Sequence, residues 1–129
     1  MKGRGWLLVL GAVVLILTGG SALYGFILKE GVSGQLQPVM TPALDAVRQV
    51  WQSRGLGAPV ITSIQDGQHG DGSLHPMGLA FDIRLNDIPA ALHETLRAEV
   101  AALAGDAFDA VHEYHGQPRD HLHLEFDPV

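Results

Sequence analysis

Trp6 to Leu28 is a run of 23 residues without a charge, and nothing else in the chain restricts its architecture as strongly. At about 1.5 Å per residue, a helix of that length crosses a bilayer core of about 30 Å. Lys2 and Arg4 precede the run. By the positive-inside rule they hold the N-terminus in the cytoplasm and place the remainder on the periplasmic or extracytoplasmic side. The expectation is a single-pass protein of the cytoplasmic membrane, attached through one N-terminal transmembrane helix. A cleaved signal peptide is the alternative: Trp6 to Leu17 has the length of an apolar signal core, and Thr18 to Ala22 supply small residues. The resumption of apolar residues at Leu23 to Leu28 favours the uncleaved anchor.

About 100 residues remain after this segment, enough for one small domain. From Lys29 onward there are six basic and fourteen acidic residues, a net of −8 within a whole-chain charge of −6. An acidic surface repels phosphate backbones, so nucleic acid is not an expected partner. Cysteine is absent. Disulfides and thiolate metal sites are excluded, and a metal in this chain must be held by His and carboxylate.

Residues 1–28 thus read as anchor or signal segment. Residues 29–40, with two glycines and a proline, read as a linker, and 41–129 as the functional domain. Thr41-Pro42 opens a helix as N-cap and first residue, with Leu44, Val47, Val50 and Trp51 on its apolar stripe and Gly55 as its stop. Pro59 to Ile64 is a short, β-branched strand. Gln65 to Leu74 is a glycine-rich loop, and Gly78 to Arg84 a second strand. A second helix begins at Asn86-Asp87, carries Leu92, Leu96, Val100 and Leu103, and stops at Gly105. Phe108 to Tyr114 and His121 to Phe126 are the last two strands, joined by a turn. The order predicts an α+β fold, a small mostly antiparallel sheet with two helices.

The chemistry gathers in two places. On the last strand, alternation puts His121, His123 and Glu125 on one face, with Leu122, Leu124 and Phe126 on the other. A second cluster lies in Ser73-Leu74-His75-Pro76-Met77-Gly78-Leu79-Ala80-Phe81-Asp82. His75 and Asp82 are seven apart, which on a straight strand would place them on opposite faces. A turn at Pro76-Met77-Gly78 would bring them together. Imidazole nitrogen and carboxylate oxygen are zinc ligands, and a catalytic zinc keeps one position open.

This stretch resembles the signature of the zinc D-alanyl-D-alanine peptidases, S-x-H-x-x-G-x-A-x-D, through Ser73, His75, Gly78, Ala80 and Asp82. Asp120-His121-Leu122-His123 resembles the family's second signature, an acidic residue three before a histidine. The likeness runs from about Val60 to Asp127 and extends to small phage-type and bacterial murein peptidases. It implies His75, Asp82 and His123 as ligands to Zn2+, and Asp120 as the carboxylate that takes a proton from water and passes it to the leaving amine. On a straight strand Asp120 would face away from His123, and Glu113 on the preceding strand is the second choice for the base. Ser73 is the implied substrate-binding hydroxyl, with turn formation in the loop as its alternative role, and His121 a substrate- or transition-state-binding group beside the metal. Arg84, two after Asp82 and so on its face, is read as meeting a substrate carboxylate or pairing with Asp82. His93, His112 and His115 read as structural or exposed, and His69 as a loop residue on a loop able to swing over the site. The implied activity is zinc-dependent hydrolysis of peptidoglycan stem or cross-link peptides containing D-amino acids. The arginine that carboxypeptidase members place upstream has no match, which leaves both D,D-carboxypeptidase and endopeptidase cleavage open. A non-catalytic metal- or peptidoglycan-binding module and a membrane-tethered phage-type endolysin are the alternatives.

Overall fold

The computed structural model describes residues 23–128. Five strands and two helices follow in the order β1 (Ile27–Leu28), α1 (Thr41–Ser53), β2 (Val60–Ser63), β3 (Ala80–Arg84), α2 (His93–Ala104), β4 (Phe108–Glu113) and β5 (His121–Phe126). The sheet order is β1-β2-β3-β5-β4. β1 runs parallel to β2; the other three pairings are antiparallel.

The α+β class and the two helices match the sequence expectation, but the fold needs two corrections. The sheet is mixed, because β1 adds a parallel edge strand. That strand comes from the end of the run expected to cross a membrane. Ile27 pairs with Val60 and Leu28 with Ile61, while Leu23 and Phe26 are buried in the core. The hydrophobic effect that would carry these side chains into lipid instead carries them under α1. The Arg48 guanidinium lies over the Phe26 ring and bonds the Tyr24 carbonyl. Among the described residues no helix is long and apolar enough to cross a membrane. The expected transmembrane helix from Trp6 to Leu28, and the single-pass membrane localisation built on it, are overturned by this placement. Residues 6–22 of that run lie outside the described residues.

The segment read as a linker runs along the domain. Lys29 N–H donates to the Ile61 carbonyl, Gln37 N–H to the Gly78 carbonyl, and Val32 and Leu36 pack against the core. It ends in a 3-10 turn at Pro38–Met40 that passes directly into α1, so Thr41 is the first helical residue rather than the cap. All four stripe residues of α1 are buried. Gly55, at φ +66°, lets the N–H groups of Gly55 and Leu56 turn back to Gln52 and Trp51. α2 starts later than the sequence suggests, after a 3-10 turn at Ala90–Leu92. Its buried side is His93, Leu96, Val100 and Ala104, whereas Leu103 is half exposed.

Register sorts the sheet into two faces. Phe81 opposes Leu124 and Ile83 opposes Leu122, and these meet α1 and α2 in the core. Alternation continues the same face onto β4 through Phe108, Ala110 and His112. The other face carries three cross-strand rows: Asp109-Glu125-Ala80, Val111-His123-Asp82 and Glu113-His121-Arg84. Helices leave that face open, and the glycine-rich loop borders it.

Candidate metal centre

The open face is the floor of a cavity of about 1000 Å3, walled on one side by residues 66–73 and on the other by Tyr114 and 117–121. His75, Asp82 and His123 lie at its base, each less than a tenth exposed. His75 belongs to a 3-10 turn, His75–Met77, closed by Gly78 at φ +72°. This turn reverses the chain so that His75 meets Asp82, as the spacing required. Gly78 has a second reason to be glycine: a Cβ there would stand 2.6 Å from the Gln35 carbonyl oxygen. Left-handed backbone and close approach of another backbone both favour a residue without a side chain.

Asp82 Oδ1 is 3.2 Å from His75 Nε2 and 2.9 Å from His123 Nδ1. Each imidazole is oriented from behind. His75 Nδ1–H donates to the Ile64 carbonyl at 2.7 Å, which turns Nε2 toward Asp82. His123 Nε2–H donates to Glu125 Oε1 at 2.8 Å, which turns Nδ1 inward. Such outer partners fix the tautomer and the ring plane of metal-ligating histidines. The His69 ring stacks on His75 with centroids 4.3 Å apart, covering it from the loop side.

Electrostatics match this geometry. Burial alone would raise the Asp82 carboxyl, but hydrogen bonds from His123 and His75 outweigh it and hold the group well below the usual carboxylate range. Burial works against protonated His123, yet Asp82 and Glu125 together push it up to about 9. His75 is also raised, against burial, by its bond to Asp82. A carboxylate that holds two imidazole rings and favours their protonated forms is one beside which a divalent cation can take the place of protons.

The three donor atoms lie within 4.8 Å of one another, and these residues can hold a metal ion. Ligands 2.0–2.1 Å from a tetrahedral zinc stand about 3.3 Å apart, close to the separations found. Alternation and turn geometry thus assemble the three residues expected as ligands.

The remaining site residues divide. Glu113 Oε1 is 2.8 Å from His121 Nε2, and that nitrogen is 3.5 Å from Asp82 Oδ2. Glu113, His121 and Asp82 form a second close group on the open face. Asp120 does not join them. Its Oδ1 bonds His112 Nε2 at 2.5 Å, and its Oδ2 accepts from Gly116 N–H at 2.9 Å. It therefore turns to the helix-covered face, one residue out of phase with His121. Ser73 lines the cavity, but its hydroxyl accepts the His75 N–H at 3.2 Å and stabilises the turn. Arg84 also lines the cavity, with no ion pair among the described residues.

No protein-family model matches this chain, and a search of curated proteins finds no match either. The resemblance to zinc D-alanyl-D-alanine peptidases therefore rests on the motif residues themselves.

Two contributors escaped the sequence reading as partners of the ligands. Glu125 sits two after His123 on one strand face, a spacing that gives its position but not its bond. For His69 the glycine-rich loop gave the ability to swing over the site but not the ring it stacks on, since a loop containing three glycines does not reveal where its tip rests.

Proposed function

We propose that this protein is a zinc metallopeptidase that hydrolyses peptidoglycan stem or cross-link peptides. The observation that carries the reading is the convergence of His75, Asp82 and His123 at the base of an open cavity, with the Glu113–His121 pair beside Asp82. Zinc held by those three residues would supply Lewis acidity and bring the pKa of a water toward about 7.

The chain's own groups supply the rest. Glu113 is the proton carrier: its carboxylate reaches the open face and touches His121, whereas Asp120 is committed to His112 and Gly116. The family's usual base position is thus replaced by a carboxylate on β4. His121, between Glu113 and Asp82, orients the base and presents a ring toward a developing negative charge. Arg84, in the same row, stands ready for a substrate carboxylate. The cavity is large enough for several peptide residues, and its acidic and imidazole lining suits a polar peptide rather than an apolar ligand.

The orientation of Asp120 favours one second reading, a metal- or peptidoglycan-binding module without catalysis. Hydrolysis separates the two. The full chain, loaded with zinc, is incubated with purified muropeptides and the products are followed by mass spectrometry. Cleavage at a bond to a D-amino acid, abolished by His123→Ala, is expected. Zinc bound with every muropeptide intact would sink the peptidase and leave the binding module.

A further inference from the structure

The helix-covered face holds a cluster that the proposed reaction does not use. His93 is the first residue of α2, His112 stands on the core face of β4, and Asp120 leads into β5. We propose that His93, His112 and Asp120 form a second, structural metal site for zinc or a similar borderline divalent cation.

Polar side chains in such a place need an account. His93 and Asp120 are each 5 % exposed and adjoin the apolar core, where a polar group without a partner costs free energy. His93 Nε2–H donates to the Ile88 carbonyl at 2.8 Å. That bond occupies Nε2 and leaves Nδ1 facing Asp120 Oδ2, 3.6 Å away. The separation is too long for a hydrogen bond. A ring nitrogen and a carboxylate oxygen that face each other across such a gap, in so buried a place, are donors a cation between them would join. A proton suits a shorter gap; a metal ion suits this one, since tetrahedral zinc ligands stand about 3.3 Å apart.

The rest of the donor set agrees. His112 Nε2 meets Asp120 Oδ1, and the His93 and His112 rings stand edge to face, with centroids 5.2 Å apart and planes at 84°. Rings at that angle can direct one nitrogen each at a shared point. The three donor atoms lie within 4.8 Å of one another. Gly116 N–H holds Asp120 from the turn, as the Ile88 carbonyl holds His93 from the start of α2. Two imidazoles and a carboxylate from three elements are a ligand set for zinc, cobalt or nickel rather than calcium or magnesium.

The site is separate from the open-face centre, because Asp120 and His121 are consecutive and project to opposite sides of the sheet. An ion here would tie the start of α2 to β4 and β5 in a small domain that has no disulfide.

The test uses the full chain, stripped of metal and titrated with Zn2+ and with Co2+ as an optical probe. About two equivalents are expected per wild-type chain. A His75→Ala/His123→Ala double variant should keep about one, with a rise in unfolding temperature on binding. Adding His112→Ala should abolish that last equivalent. Wild type saturating at one equivalent, lost in a double variant that circular dichroism shows to be folded, overturns this site and spares the open-face centre. One equivalent in both proteins supports this site and removes the open-face one. If the double variant does not fold, wild type and His112→Ala decide: one equivalent fewer in His112→Ala than in wild type upholds the proposal, and an equal count in the two overturns it.

Discussion

Asp82 on β3 and His123 on β5 are direct cross-strand partners, and Asp82 Oδ1 stands 2.9 Å from His123 Nδ1. The same oxygen is 3.2 Å from His75 Nε2, so one carboxylate oxygen serves both imidazoles. Asp82→Asn keeps the size and removes the charge. Zinc affinity at the open face should fall by more than the roughly 10–100-fold typical of losing an outer partner. Competition with a chromophoric chelator measures it, and unchanged affinity would remove Asp82 from the ligand set.

Glu125→Gln tests the group behind His123. Its carboxylate accepts from His123 Nε2 at 2.8 Å. An amide there orients the ring less firmly, so zinc should bind roughly 10–100-fold more weakly with the fold unaltered. An effect on unfolding temperature alone, with zinc affinity intact, would make Glu125 a stabilising residue only.

Glu113→Gln should lower kcat on muropeptides by about 10²–10⁴-fold, with zinc content and KM little changed, as for the loss of a proton-transfer group. Asp120→Asn should act mainly on unfolding temperature, because its partners are His112 and Gly116. The reverse pattern in single-turnover kinetics would restore Asp120 as the base.

Acidity acts on the metal-free site in a defined direction. His123 rises from 6.5 to about 9, so its ion pair stabilises the fold fully below pH 6.5 and is lost as the pH climbs through 9. Asp82 is depressed, so its contribution is present above its ordinary value and lost only in strong acid. Metal-free protein should therefore lose on the order of 3 kcal/mol between pH 6.5 and 9. Zinc affinity should increase over the same window, since binding displaces the His123 proton. Denaturant titrations with and without zinc check both slopes. A flat metal-free profile would contradict the ion pair.

Phe26→Ala should cost about 3–5 kcal/mol, the usual loss for a buried aromatic ring. Phe26 is 3 % exposed and packs in the domain core. Thermal unfolding of the full chain reads the change. A shift near zero would mean that residues 23–28 are not part of the cooperative fold.

The sequence was readable where one periodicity settled the environment. Leu44, Val47, Val50 and Trp51 marked the buried side of α1, and alternation separated His121 and His123 from Leu122 and Leu124. It misled where two environments ask for the same residues. Leu23 and Phe26 satisfy a bilayer and a protein core equally, so hydropathy alone merged an edge strand with the run before it. Asp120 is a subtler case. The motif put it with the ligands, whereas alternation put it on the opposite face, and the backbone followed alternation. His112 lies on that same face through its opposition to Leu122, a register no single strand reveals.

The floor of the cavity and its loop wall differ in their freedom to change. The floor is fixed by strand register, and Asp82 links both imidazoles there to the Glu113–His121 pair, so altering one function disturbs the other. The loop from Asp66 to Ser73 borders the same space and bears no ladder hydrogen bonds. Heritable variation in what this pocket accepts therefore has one inexpensive route. It runs through the length and composition of that loop, while the floor is inherited as a block.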